Sequence, residues 1–238
     1  MSDPAGLLVS VRGEARRMVP PDYALVAATI GSSRGSKAEA VRAAAVGLDS
    51  LTADLAARGG VALDAGTGKR PLTWSAQSVT TYAERAEDEN TGQYQPTGQM
   101  TATVAVMIGV RAFELLDALG AVLAAREAVT VQEVTWHVDW DNPAWPDVRA
   151  AAVQAAIAKG RDYAAALGGA LRGVEHIADA GLLGGDHAQS GFTGGRTVRA
   201  PSWSGAEPDA PSLDPVPQEL AAIIEARFTA DGVSLTPH

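Results

Sequence analysis

Residues 219–231, ELAAIIEARFTAD, decide the fold, because their composition favours a helix while their pattern favours a strand. Ala222, Ile224, Ala226, Phe228 and Ala230 alternate with Ile223, Glu225, Arg227 and Thr229. A period of two puts each set on its own face of an extended chain, whereas a helix would scatter both sets around its axis. The alternation therefore predicts a strand at about 219–230, returning to a sheet begun far upstream.

Working back from that strand, residues 184–217 are rich in Gly, Pro, Ser and Asp and show no period, which predicts a long loop. Before it, GALRGVEHIADAG at 169–181 is expected to be a strand, and 147–168 a long helix with Val153, Ile157, Gly160, Ala164 and Leu167 as its buried stripe. A strand is expected from Val129 to about Trp140, and a helix over about 111–125 that turns Leu115, Leu116, Leu119 and Val122 inward. LTWSAQSVTTYAERA (72–86) and MTATVAVMIGV (100–110) carry the Thr, Val and aromatic content of a strand pair, joined by the polar EDENTGQYQPTG. Val41, Ala44, Leu48, Leu51 and Leu55 recur at helical spacing after Ser36, and Gly59-Gly60 stops that helix. At the start, an alternating strand from Leu7 and a second strand, YALVAATIGSS (23–33), flank Pro20-Pro21-Asp22, which predicts an opening hairpin. Hairpins mixed with helices predict an α+β fold: mainly antiparallel sheet with helices packed on one face.

Composition limits the function. The charge of -9 and pI near 4.9 leave no clustered Lys and Arg for a polyanion, and Arg16-Arg17 and Lys69-Arg70 are too short to form a basic patch, so no nucleic-acid partner is expected. There is no cysteine, which removes thiol nucleophiles, cysteine-ligated zinc and disulfides. The first residues, MSDPAGLLVSVRGEARR, show neither a basic n-region nor an apolar h-region, so a cytoplasmic location is expected. No apolar run has the length of a membrane span.

Chemistry is densest in WHVDWDNPAWPD (136–147), which holds three of the five tryptophans. If the strand runs through it, Val134, Trp136, Val138 and Trp140 face the core while His137, Asp139 and Asp141 form a row at i, i+2 and i+4 on the other face. Such a row is a candidate ligand set for a divalent metal, and equally an ordinary solvated sheet surface. Asn142-Pro143, Pro146 and Asp147 suit the start of a helix. Other motifs fail on spacing. GTGKR (66–70) lacks the glycine and the Ser or Thr of a Walker loop, since Leu63 and Arg70 stand there. In DHAQSGFTGG, Ser190 with His187 invites a hydrolase reading, but Ala188 and Phe192 stand where a nucleophile elbow needs glycines; neither His176 nor His238 has a recognisable catalytic partner nearby. No cofactor and no catalytic residue is assigned.

The ordered landmarks Val11-x-Gly13-Glu14, Pro21-Asp22-Tyr23-Ala24, LLDALGAVLA and AAVQAAIAKGRDYAAALGGALRGVEHIAD resemble the SIMPL-domain family. The last stretch carries most of the resemblance, with Ala151, Ala155, Arg161, Tyr163, Ala164 and Leu167-Gly168 in a long alanine-rich helix that leads into a strand with Val174 and Ile177. The similarity covers about residues 7–180 and extends to the final strand. It implies a single α+β SIMPL-like domain over 1–238, frequent self-assembly, and a setting in oxidative-stress defence, signalling or the periplasm; it implies no catalytic residues. Two features depart from it: many relatives carry a signal peptide, and the 184–217 loop is extra. The expected protein is non-catalytic and self-associating. Two alternatives stand beside it: a metal protein or enzyme using His137, Asp139 and Asp141, and an adaptor that binds a protein partner through 184–217.

Overall fold

A computed structural model describes residues 7–64, 68–87, 92–183 and 214–232. In chain order these form β1 (Leu7–Val19), β2 (Tyr23–Arg34), α1 (Lys37–Ala57), β3 (Val61–Ala62), β4 (Leu72–Ala76), β5 (Thr80–Glu87) and β6 (Tyr94–Val110). A 3-10 turn (Phe113–Leu115), α2 (Leu116–Ala124), β7 (Val129–His137), α3 (Trp145–Ala166), β8 (Ala170–Asp179) and β9 (Gln218–Asp231) follow. The fold is α+β with mainly antiparallel sheets, the short β3–β4 pair alone among the described ladders being parallel. The described elements group into two compact units, one built from β1, α3, β8 and β9, the other from β2 to β7 with α1 and α2.

The smaller unit is a sheet of order β1-β9-β8. The stretch 219–231 is indeed a strand, and it lies at the centre. Leu220, Ala222, Ile224, Ala226, Phe228 and Ala230 are buried beneath α3, while the residues between them stay half-exposed. Burying a side chain such as Phe228 contributes roughly 2–3 kcal/mol, more than the residue's weak preference for either conformation. On the far face, cross-strand ion pairs Arg12–Glu225 (3.0 Å) and Arg16–Glu219 (3.3 Å) mark the solvated side.

The helix that covers this sheet approaches it unusually closely. A Cβ built on Gly13 of β1 would stand 2.1 Å from the Ala152 carbonyl oxygen and 2.7 Å from the Ala156 nitrogen, so backbone meets backbone. Accordingly the buried stripe of α3 is Val148, Ala152, Ala156, Gly160 and Ala164, at intervals of four residues. This corrects the expected stripe, of which only Gly160 and Ala164 remain. Val153, Ile157 and Leu167 are only half-buried, because beside Ala152 and Ala156, where the backbones touch, there is no room for a larger side chain.

The larger unit has the strand order β3-β4-β6-β2-β7, with β5 also paired to β6. Its core is the row Ala24, Val26 and Ile30 of β2 beside Ala102, Val104, Val106, Ile108 and Val110 of β6, covered by Ala44, Leu51 and Leu55 of α1 and by Leu116, Leu119 and Leu123 of α2. Ser36 starts α1: its Oγ accepts from the Glu39 N–H at 3.3 Å and donates to Glu39 Oε2 at 2.9 Å, a reciprocal cap. 

Three expectations are corrected here. There is no opening hairpin: β1 pairs with β9, and β2 pairs with β6 and β7. Pro20 and Pro21 have no N–H with which to close a tight turn, and the Asp22 N–H is given to the His137 carbonyl at 2.8 Å. The stretch 72–86 is two strands, β4 and β5, which dock in succession on one side of β6. β6 itself begins at Tyr94, inside the segment expected to be loop.

Gly13→Ala is expected to cost about 3 kcal/mol by forcing the α3 backbone off the sheet. Gly31→Ala in β2, where an added Cβ meets nothing within 4 Å, should change stability little. Chemical denaturation of both variants checks this; equal effects would mean that the close approach at Gly13 does not constrain the fold.

Candidate functional site

The stretch 136–147 crosses from a strand into a helix, and its polar residues separate accordingly. β7 ends at His137. The Asp139 carbonyl then accepts from the Asn142 N–H at 3.2 Å and from the Trp145 Nε1–H at 3.0 Å, so the chain is already turning at Asp139. The expected row of His137, Asp139 and Asp141 needs extended backbone through residue 141, and that backbone is absent. Among the described residues no group of three or more His, Asp or Glu is placed to hold a metal ion. The helix start also differs in detail. Asn142 Oδ1 accepts from the Ala144 N–H at 2.9 Å, an Asx turn ahead of the helix rather than a cap on it; Pro146 lies in the first turn, and Asp147 pairs with Arg17 at 3.0 Å.

The tryptophans divide in the same way. Trp136 is 2% exposed, packed edge-on against Phe113 with ring centroids 5.5 Å apart. Trp140 was expected in the core but is 84% exposed, because the strand that would have carried it inward stops three residues earlier.

His137 belongs to a different cluster from the one its neighbours in sequence suggest. Cross-strand register places it opposite Tyr23, and the two rings stack at 5.0 Å with an interplanar angle of 15°. The Arg111 guanidinium lies 4.6 Å from the centre of the Tyr23 ring, and Thr135 Oγ1 is 2.8 Å from His137 Nε2. The result is a row of cation, phenol and imidazole across the ends of β6, β2 and β7. Tyr23 and Arg111 carried no site signal in the sequence, since their meeting depends on strand order. Burial lowers the His137 pKa below the ordinary histidine value.

A second polar cluster was equally invisible. Ser33 Oγ donates to Glu84 Oε2 at 2.6 Å and accepts from Thr101 Oγ1 at 3.2 Å, linking β2, β5 and β6. The hydroxyl is held by a carboxylate, without the imidazole that a serine nucleophile ordinarily uses, and the cluster reads as a clamp on the β5 edge. An open hollow of about 570 Å³ lies against Lys37, Ala38, Val41 and Arg42 of α1; its walls are apolar stems, without convergent polar groups. His176 lies on β8. Thr67 and Gly66 of GTGKR, the Ser190 and His187 stretch, most of the 184–217 loop, and His238 lie outside the described residues.

Two outcomes are expected. Trp136→Ala should cost roughly 3–5 kcal/mol through the cavity it leaves, and Trp140→Ala less than about 0.5 kcal/mol; similar losses in thermal unfolding would contradict the division. For His137 the fold favours the neutral ring. As the pH falls below about 6.5 the unfolded chain takes up this proton first, so stability is lost from there down through the lower folded-state pKa. His137→Gln should flatten that part of the stability curve, and an NMR titration of His137 with a midpoint at or above the ordinary value would refute the assignment.

Known proteins define the family of this chain. A search of curated proteins finds no match. The profile of the SIMPL family, described as a protein of unknown function (DUF541), matches residues 9–228, which takes in most of β1 at one end and most of β9 at the other. The chain belongs to the SIMPL family.

Proposed function

We propose that this SIMPL protein is non-catalytic, and that it works by self-association in the cytoplasm. The observation that carries the reading is apolar surface on an incompletely covered sheet. Val174 and Ile177 of β8 are 60% and 50% exposed, although both belong to the face that α3 covers elsewhere. Leu8 and Met18 of β1 are exposed as well. A second copy of the chain would remove such side chains from water, and closed symmetric assemblies are the common solution. The stress- or envelope-related setting implied by the family resemblance is the cellular role we attach to it.

The competing metal reading finds no support in the geometry, since Asp139 and Asp141 leave the strand on which His137 ends. No observation on the described residues favours the adaptor reading.

Light scattering at micromolar concentration is expected to give at least twice the 24.4 kDa chain mass. Because the chain carries a charge of -9, added salt should strengthen the assembly by screening the repulsion between copies. A single-chain mass at every concentration and salt level would overturn the proposal.

A further inference from the structure

We infer that two copies join by antiparallel pairing of their β8 strands, about a two-fold axis between Glu175 and His176. The inference rests on the self-association reading and adds the surface that performs it. Among the described residues β8 is an edge strand, ten residues long, hydrogen-bonded to β9 on one side only. An edge of that length presents backbone donors and acceptors that a further strand can satisfy.

The side chains indicate which strand. Val174 and Ile177 pair with Phe228 and Ala226, so both point to the helix side of the sheet. They are nonetheless exposed, because α3 packs mainly over β1 and β9 and reaches β8 less. With the axis between Glu175 and His176, Val174 stands opposite Ile177 of the second copy and Glu175 opposite His176, while Arg172 keeps its ion pair with Asp231 of its own β9. Each pairing then occurs twice. Apolar meets apolar on the helix side, between the two α3 helices, and acid meets base along the seam. Moving the axis by half a residue onto Glu175 would set Glu175 against itself. Moving it one residue toward Val174 would set Val174 against Glu175, and one residue the other way would set Val174 against Asp179. Of these four registers, only the first sets Val174 against Ile177 and Glu175 against His176. These two pairings, each made twice, distinguish a second copy from an unrelated peptide, which would have no reason to match that register.

The ladder to β9 is irregular between Leu171 and Gly173 and between Val174 and His176, so Arg172 and Glu175 have no opposite residue on β9. Irregularities of this kind often protect an edge from pairing. The experiment must therefore distinguish a seam from a guarded edge.

The full chain contains no cysteine, so introduced thiols report on their own contacts alone. Val174→Cys and Ile177→Cys proteins are purified separately, checked for native unfolding, mixed in equal amounts and mildly oxidised. Opposed residues on paired strands lie within disulfide reach, so the mixed Val174→Cys to Ile177→Cys dimer should exceed the disulfide formed by either protein alone. Glu175→Lys should weaken association several-fold, by facing His176 with a cation, and adding His176→Glu to the same chain should restore it. If the unmodified chain assembles but the mixture cross-links no better than the separate proteins, the seam is overturned while self-association stands. If the chain stays monomeric, both are overturned and the irregularities act as edge protection.

Discussion

The contact between the Gly13 backbone and the backbone of α3 at Ala152 and Ala156 is the constraint on which the smaller unit depends. A helix usually rests on a sheet through its side chains, which keep the two backbones well apart. Here the strand offers no Cβ and the helix offers only methyl groups, so the gap closes. The rest of α3 follows from that choice. Past Val148, its buried positions are small at every fourth residue, as Ala152, Ala156, Gly160 and Ala164 are. Gly160 in turn makes room for Phe228 and Leu171, whose rings and methyls would meet an added Cβ at 3.1 Å. Large side chains on the sheet are thus matched by small ones on the helix, and interior density is kept without bulky residues on both partners.

That economy has a consequence at the edge. A helix held close to β1 and β9 by a narrow stripe does not spread over a third strand. Val174 and Ile177 of β8 stay in water although the pleat aims them at the covered face. The same side chains that complete the alternation of the sheet become its exposed apolar surface, so packing within the chain and the proposed association between chains follow from one geometric fact. The larger unit shows related packing: the Ile30 Cγ2 stands 2.9 Å from where a Cβ on Gly47 of α1 would be.

The polar stretch after β7 shows how far a periodic pattern can be trusted. Alternation carries Trp136 inward and brings His137 against Tyr23, and both statements follow from extended backbone. Beyond His137 the Asp139 carbonyl accepts turn and helix-start hydrogen bonds, and the period of two ends there. Trp140 is left in solvent by that change, and the apparent ligand row of His137, Asp139 and Asp141 dissolves with it. Composition alone gives no warning, because tryptophan and aspartate suit a strand end, a turn and a first helical turn almost equally.

Local pattern by itself determined the α+β class, the three helices, the strand at 219–231 against its own composition, and the family. Each of these rests on a period of 2 or 3.6, or on residues at fixed spacing, and survives whatever the element packs against. Tertiary structure alone decided what pairs with what. The join at Pro20-Pro21-Asp22 reads as a hairpin until β1 is seen to find β9, more than two hundred residues away, and β2 to find β6 and β7. The cluster of Arg111, Tyr23 and His137 and the clamp of Ser33, Glu84 and Thr101 came from the same decision, since neither is close in sequence. The stripe of α3 was misjudged for a related reason. Hydrophobicity points to Val153 and Ile157, but the partner surface at Gly13 selects for size. A sequence records which residues are apolar, and only the facing backbone decides how much room they have.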